Sequence, residues 1–184
     1  MLEWSLDALE ASRLVGSVVV AVPAGYEDRV GVRAVTGGDT RSDSVSNALA
    51  LCDTELVVIH DAARPLAEPA LFDGVIEALD QDESLAGVIA VSPIADTVKS
   101  VSGDEITGTV DREGLRAAET PQAFRRAALE EALAEGDRSS ATDEAMLVEA
   151  AGGRVAALDS AQQNFKVTTP EDLERAAAIL SSRS

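Results

Sequence analysis

Short apolar runs alternate with longer stretches of helical periodicity along the 184-residue chain. Three runs, at residues 17–22, 56–59 and 87–91, are rich in Val and Ile and almost wholly apolar. A run that is apolar on both faces is typical of a strand buried on both sides of a parallel sheet. Because strands that alternate with helices form α/β folds with right-handed crossovers, the pattern predicts an α/β protein with a mostly parallel sheet.

The stretches between these runs predict amphipathic helices, since their apolar residues recur every three to four positions. The predicted helices cover residues 1–13, 68–79, 125–133, 143–151 and 169–180. In the last of them, Thr169, Pro170 and Asp172 can supply an N-cap, a first helical position and the acidic residue of a capping box. Without repeats or a linker, residues 1–184 are interpreted as a single domain.

Residues 96–110 interrupt this alternation. Ser102-Gly103-Asp104 is a turn signal between two short segments of mixed polarity, and it predicts a β-hairpin. A hairpin of this kind covers a site or pairs with another subunit, so we expect an arm at about residues 96–110.

Composition narrows the possible functions. With 46% hydrophobic and 26% charged residues, the chain is expected to fold. A net charge of -18 argues against binding to nucleic acid or to anionic membranes. The chain has no run of the roughly 18 to 20 apolar residues that cross a bilayer and no basic leader, so we expect a cytoplasmic protein. The single cysteine, Cys52, excludes an internal disulfide, and a structural zinc site is not expected.

The first candidate site is the loop Gly37-Gly38-Asp39, which follows a short apolar segment. Paired glycines let a backbone approach a ligand closely, and Ser44 can cap the helix that follows. The alternative is an ordinary loop with a helix cap.

The second candidate site is His60-Asp61-Ala62-Ala63-Arg64, directly after the run at 56–59. Ligands of open α/β sheets bind beyond the carboxyl ends of strands, where Asp61 could hold a ribose hydroxyl or Mg²⁺. Arg64 could bind a phosphate or form a salt bridge with Asp61. The alternative is that Asp61 and Arg64 only lock the loop. His60, the only histidine, is interpreted as a packed or loop-fixing residue.

Further hydroxyl groups and cations lie at the ends of predicted elements, and phosphate recognition uses such groups. They are Thr97, Arg112, Thr120, Thr142 and Lys166. Each of them, taken singly, is equally explained as a cap or a solvated charge. Lys166 lies in an apolar segment interpreted as a strand, where a charge requires a partner.

Seven stretches in this order resemble the 2-C-methyl-D-erythritol 4-phosphate cytidylyltransferase family. They are GGDTRSDSV, VIHDAARP, DTVK, DREGL, ETPQAF, ATDEAMLVEAAG and NFKVTTPEDL. The resemblance implies a Rossmann-like nucleotidyltransferase fold and a homodimer formed through the hairpin arm. It also implies transfer of CMP from CTP to a substrate phosphate, with Mg²⁺ as cofactor and pyrophosphate as product.

The resemblance further implies a role for each matching position. Gly38, Asp39, Ser44, Asp61 and Ala62 would bind CTP, with Asp61 as a metal ligand. Arg64, Thr97, Arg112, Thr120, Thr142 and Lys166 would bind methylerythritol phosphate. Lys166 and Arg112 would be catalytic.

One difference from the family concerns the start of the chain. Family members open with a strand and a loop of the form A-A-G-x-G-x-R, whereas Met1-Leu2-Glu3-Trp4 resembles the helix that follows them. We therefore expect the first strand, which would lie inside the sheet, and the glycine-rich loop to be missing from these residues. Two alternatives remain open: a ribitol-5-phosphate cytidylyltransferase, and a non-catalytic truncated subunit that dimerises through the arm.

Overall fold

A computed structural model describes residues 1–138, 141–160 and 163–183. Within these ranges, helices and strands alternate, which confirms the predicted α/β class. The helices are α1 (Leu2–Glu10), α2 (Arg41–Leu49), α3 (Pro69–Asp80), α4 (Arg126–Glu135), α5 (Glu144–Ala150) and α6 (Pro170–Arg183). The strands are β1 (Val19–Val22), β2 (Arg33–Thr36), β3 (Leu56–Ile59), β4 (Gly87–Pro93), β5 (Lys99–Ser102), β6 (Glu105–Thr109), β7 (Arg116–Arg125) and β8 (Val155–Asp159).

The central sheet has four strands in the order β3-β7-β4-β8. Strands β3, β4 and β8 share one direction, and β7 runs antiparallel to β3 and β4. The mostly parallel sheet is therefore confirmed, with β7 as the exception. The sequence did not predict this strand, because Pro121 cannot donate a hydrogen bond to a neighbouring strand. The register shift between Ile89 and Val91 of β4 accommodates this part of β7.

The sheet packs against helices on both faces. Phe124 of β7 packs with Leu129 and Leu133 of α4 on one face. The next residue along β7, Ala123, packs with Val75 and Leu79 of α3 on the other face. Burial of both faces explains why the sequences of β3 and β4 contain continuous apolar runs.

Strands β1 and β2 form a separate parallel pair. An apolar cavity of about 420 Å³ lies between β1 and β3 and is also lined by Leu6 and Leu9 of α1. Within the described residues, β1 pairs with β2 and β3 pairs with β7, so the edges that face this cavity have no strand partner. The β1-β2 pair and the central sheet are therefore separated by a gap between β1 and β3.

The predicted hairpin is present as the antiparallel pair β5 and β6, which stands apart from the central sheet. Gly103 forms its turn with a φ of +58°, a conformation that glycine adopts without strain. Val101 and Ile106 are 65% and 66% exposed, respectively. The arm therefore presents apolar side chains to its surroundings.

Candidate active site

The candidate site lies beyond the carboxyl end of β3, where Asp61 follows the strand after one residue. The backbone N–H of Asp61 donates to Oγ1 of Thr120, 3.0 Å away, on the adjacent strand β7. The carboxylate of Asp61 lies between two cations. Arg41 Nε is 3.0 Å from Oδ1, and Lys166 Nζ is 2.9 Å from Oδ2. Three separate parts of the sequence thus meet at one carboxylate.

The two cations keep Asp61 ionised. Burial by itself raises the pKa of this carboxyl group, but the charges of Arg41 and Lys166 and their hydrogen bonds together lower it by more. The net pKa of Asp61 lies below its ordinary value. At neutral pH the site therefore holds a carboxylate and two cations in fixed positions.

Lys166 has the partner that its sequence environment requires, but the interpretation of its segment as a strand was wrong. Residues 163–168 form no regular element in the described structure. Val167 N–H donates to the carbonyl of Ala63 at 2.7 Å, which attaches the loop to the segment that follows β3. Lys166 itself is 47% exposed, so its ammonium group is accessible from solvent.

Arg41 also contacts Glu144, the first residue of α5. Glu144 is fully buried, and its Oε2 accepts a hydrogen bond from Arg41 Nη1. Its other oxygen, Oε1, accepts from the hydroxyl of Ser42 at 3.1 Å. Glu144, Arg41, Asp61 and Lys166 thus form a row of alternating charges, which we call the charge row.

Sequence reasoning did not assign a role to Arg41 or Glu144, although both lie within the motifs it identified. One signal was present for Glu144. Leu147 and Val148 follow it by three and four positions and are buried, so helical spacing places Glu144 on the buried side of α5. A carboxylate at such a position indicates a buried cationic partner.

His60 and Thr120 connect β3 to β7. His60 Nε2 lies 3.1 Å from the carbonyl oxygen of Arg64, so Nε2 carries the proton and donates it. Nδ1 then accepts from the hydroxyl of Thr120 at 3.1 Å. Burial lowers the pKa of His60 to about 4, against smaller opposing effects of the Arg64 carbonyl and of Asp61. These contacts agree with the interpretation of His60 as a packed or loop-fixing residue.

The glycine loop lies directly before α2, which is the helix that carries Arg41. Gly38 N–H donates to Oγ of Ser44 at 3.0 Å, and a Cβ atom at Gly38 would lie 2.3 Å from that of Asp43. The prediction that Ser44 caps this helix was wrong. Thr40 is the N-cap and forms a capping box with Asp43, because the helix begins at Arg41. Asp39 is exposed at the tip of the loop.

Arg64 points into the protein rather than towards Asp61. Its Nη1 donates to the carbonyl of Asn164 at 2.6 Å, and the same atom lies 3.8 Å from Oε1 of Glu119. Arg64 thus braces the loop that carries Lys166. Ala62 is exposed beside Asp61.

The remaining predicted residues lie outside this cluster. Arg112 Nη1 donates to the carbonyl of Ala95, and both Arg112 and Thr97 are exposed near the base of the arm. Thr142 is exposed and lies two residues before Glu144. A single chain therefore brings Asp61, Thr120 and Lys166 together and leaves Thr97 and Arg112 near the base of the arm.

The described residues do not build a Mg²⁺ site around Asp61. Both of its oxygens are already occupied by cations, and a third cation would be repelled by Arg41 and Lys166. Among the residues described, no group of three His, Cys, Asp or Glu side chains could hold a metal ion. In the same part of the chain, no helix is both long and apolar enough to cross a bilayer.

Comparison with known proteins adds independent information. The family model described as 2-C-methyl-D-erythritol 4-phosphate cytidylyltransferase matches residues 1–182. The 2-C-methyl-D-erythritol 4-phosphate cytidylyltransferase of Frankia casuarinae is 44% identical over 189 residues, which cover 98% of this chain and 70% of the relative. The bifunctional enzyme IspD/IspF of Anaeromyxobacter dehalogenans is also 44% identical, over 98% of this chain and 50% of the relative.

Solved structures agree with these matches. The crystal structure of 2-C-methyl-D-erythritol 4-phosphate cytidylyltransferase from Thermus thermophilus is 36% identical with a TM-score of 0.86. That match covers 98% of this chain and 88% of the other. The chain thus spans about half the length of the bifunctional relative and most of the length of the Thermus protein.

Proposed function

The chain belongs to the 2-C-methyl-D-erythritol 4-phosphate cytidylyltransferase family, and on this basis we propose that it transfers CMP from CTP to 2-C-methyl-D-erythritol 4-phosphate. A phosphate oxygen of the substrate attacks the α-phosphorus of CTP. The bond from that phosphorus to the oxygen that bridges to the β-phosphate breaks, and pyrophosphate leaves. The attacking phosphate is already an anion, so no strong base is required.

The catalytic requirement is then electrostatic. The protein must hold two anions in line and neutralise the charge that spreads over the phosphoryl oxygens. The observation that supports this function best is the pair of Lys166 and Asp61 at 2.9 Å, beyond the carboxyl end of β3. Because Lys166 is half-exposed and held in place, its ammonium group is available to a phosphate that approaches from solvent.

The other residues are proposed to bind the two reactants. We assign Gly38, Asp39, Ser44 and Ala62 to CTP, because the close backbone of the glycine loop and exposed Asp39 adjoin the helix that carries Arg41. Methylerythritol phosphate is assigned to Arg64, Thr97, Arg112, Thr120 and Thr142 together with Lys166. Thr120 acts mainly by fixing the backbone of Asp61, and Arg64 acts by bracing the loop of Lys166.

A homodimer through the arm is part of the proposal. The exposed Val101 and Ile106 give the arm an apolar surface for a second copy, and the exposed Arg112 near its base could then reach the partner's site. We propose a cytoplasmic location. We further propose that Mg²⁺ enters with CTP as a counterion of its phosphates, since Asp61 is already neutralised.

Pyrophosphate release with CTP and each of two polyol phosphates tests the proposal. We expect faster release with 2-C-methyl-D-erythritol 4-phosphate than with ribitol 5-phosphate, in agreement with the names of the curated relatives. Equal or faster release with ribitol 5-phosphate would overturn the substrate. Absence of release with both, combined with no calorimetric binding of CTP and Mg²⁺, would favour a non-catalytic subunit.

A further inference from the structure

The charge row joins separate elements through ion pairs. Glu144 begins α5, Arg41 begins α2, Asp61 follows β3, and Lys166 lies in the loop before α6. We propose that Glu144 and Arg41 are positioning residues that set how tightly Asp61 holds Lys166. The proposal rests on the proposed function of Lys166, because it concerns how readily this ammonium group can move to a phosphate.

Glu144 fixes the position of Arg41. The Glu144 side chain has no exposed surface, so its charge requires a permanent cationic partner. Arg41 Nη1 supplies this partner, and its Nε remains directed at Asp61. Because the guanidinium group is planar and rigid, anchoring one edge on Glu144 orients the other edge towards Asp61.

Asp61 divides its attraction between two cations. Oδ1 faces Arg41 at 3.0 Å, and Oδ2 faces Lys166 at 2.9 Å. If Arg41 moved away, the charge of Glu144 would remain buried without its cationic partner. Lys166, in contrast, is bound only to Asp61 among the ion pairs of the described residues. When a phosphate draws Lys166 away, Arg41 keeps Asp61 neutralised. The charge row therefore lowers the free energy needed to move Lys166 away from Asp61.

This arrangement predicts that two variants change the strength of the Asp61–Lys166 interaction in opposite directions. In Glu144→Gln, Arg41 loses its buried partner and interacts more strongly with Asp61, so the hold of Asp61 on Lys166 weakens. In the double variant Arg41→Gln, Glu144→Gln, Asp61 loses Arg41 and holds Lys166 more tightly. The double variant also leaves no unpaired buried charge, so we expect it to fold.

The chain is well suited to this measurement because Lys99 and Lys166 are its only lysines. Acetylation by limiting acetic anhydride, quantified by mass spectrometry, gives the reactivity of Lys166 relative to Lys99 in the same molecule. Lys99 pairs with Thr109 on the arm and serves as the internal reference. Glu149→Gln is the matched control, since it removes the same charge from an exposed position of α5. Circular dichroism confirms that each variant is folded.

We expect relative Lys166 reactivity to rise about two- to fivefold in Glu144→Gln, a range typical of partly exposed ion pairs. It should fall below the wild-type value in the double variant and stay unchanged in Glu149→Gln. Shifts of the same sign in both variants, or no shift in a folded Glu144→Gln, would overturn the proposal. If Glu144→Gln does not fold, the double variant decides, and unchanged or raised reactivity contradicts the proposal. No substrate is needed, so failure here is distinct from failure of the pyrophosphate assay.

Discussion

His60 and Asp61 are adjacent in the chain but are held in opposite charge states. His60 stays neutral because it is buried, with Nε2 donating to a carbonyl and Nδ1 accepting from Thr120. Asp61 stays ionised because Arg41 and Lys166 outweigh the cost of its burial. The hydroxyl of Thr120 contacts both residues, since it donates to His60 and accepts from the Asp61 backbone. Two groups with different chemistry are thus fixed by one threonine.

The low pKa of His60 predicts that stability falls with acid in a defined pH window. The pKa is about 4 in the folded protein and 6.5 for an unperturbed histidine, so the unfolded chain binds the proton first as the pH falls. The stability associated with neutral His60 is complete above pH 6.5 and is lost as the pH falls towards 4. We expect the free energy of unfolding in urea to drop by about 2 kcal/mol between pH 7 and pH 5.

The matched variant for this measurement is His60→Gln. His60 is the only histidine, so this variant removes all imidazole titration while an amide can still donate and accept. Its unfolding free energy should change much less over the same pH range. An equal loss in both proteins would show that another group causes the acid sensitivity.

The residues of the site differ in how far sequence could reveal them. Asp61 and Lys166 lie in stretches whose resemblance to a family suggested their roles, and a lysine among apolar residues indicated a partner. The ion pair between Arg41 and Glu144 joins positions 103 residues apart, and no local spacing encodes such a contact. The sequence left open whether Arg64 binds a phosphate or forms a salt bridge with Asp61, and the structure instead shows contacts with Asn164 and Glu119.

At the level of elements, hydrophobic periodicity predicted the helices of the described residues other than α2, and the strands β1, β3 and β4, to within a few residues of their bounds. The capping box at Thr169 and Asp172 is present as predicted, with mutual hydrogen bonds of 3.2 and 3.0 Å. Strand β7 was missed because Pro121 argues against a central strand, and the irregular pairing that accommodates it depends on β4. Local patterns thus predicted the strands with continuous apolar runs and missed the strand whose sequence is polar and interrupted by a proline.

The start of α2 depends on the absence of a side chain at Gly38. An added Cβ would lie 2.3 Å from that of Asp43, which closes the capping box with Thr40. We expect Gly38→Ala to lower the free energy of unfolding in urea by about 1–3 kcal/mol, as overpacking does elsewhere. Gly108→Ala is the control, since nothing lies within 4 Å of its added Cβ. A Gly38→Ala variant as stable as the control would contradict the close packing of this loop.

For the whole molecule, the gap between β1 and β3 divides the sheet into regions of unequal protection. Strands β4 and β7 have strand partners on both sides, whereas β1 and β3 each have one within the described residues. Amide groups that face the apolar cavity have no strand partner and are free to exchange.

Hydrogen exchange followed by NMR measures this difference directly. We expect the amides of β4 and β7 to exchange slowest, and those of β1 and β3 that face the gap to exchange much faster than their paired neighbours. Uniformly slow exchange along β1 and β3 would contradict the divided sheet, because it would require hydrogen-bond partners on both edges.

The net charge of -18 does not prevent the binding of anions at the carboxyl end of β3. Arg41 and Lys166 lie within hydrogen-bonding distance of Asp61, whereas charges more than about 10 Å away are largely screened at ordinary ionic strength. The half-exposed ammonium group of Lys166 therefore matters more for phosphate binding than the distant acidic residues, which favour solubility.

Pyrophosphate release by Lys166→Ala, with CTP and 2-C-methyl-D-erythritol 4-phosphate, tests the central claim most directly. The control is Arg154→Ala, which removes one positive charge at the N-terminal ends of β4 and β8. The site itself lies beyond the carboxyl end of β3, at the other edge of the sheet. We expect Lys166→Ala to reduce turnover about 100-fold or more, the scale found when one donor to a developing charge is removed. Arg154→Ala should retain turnover. Wild-type turnover in a folded Lys166→Ala variant would contradict the assignment of the site.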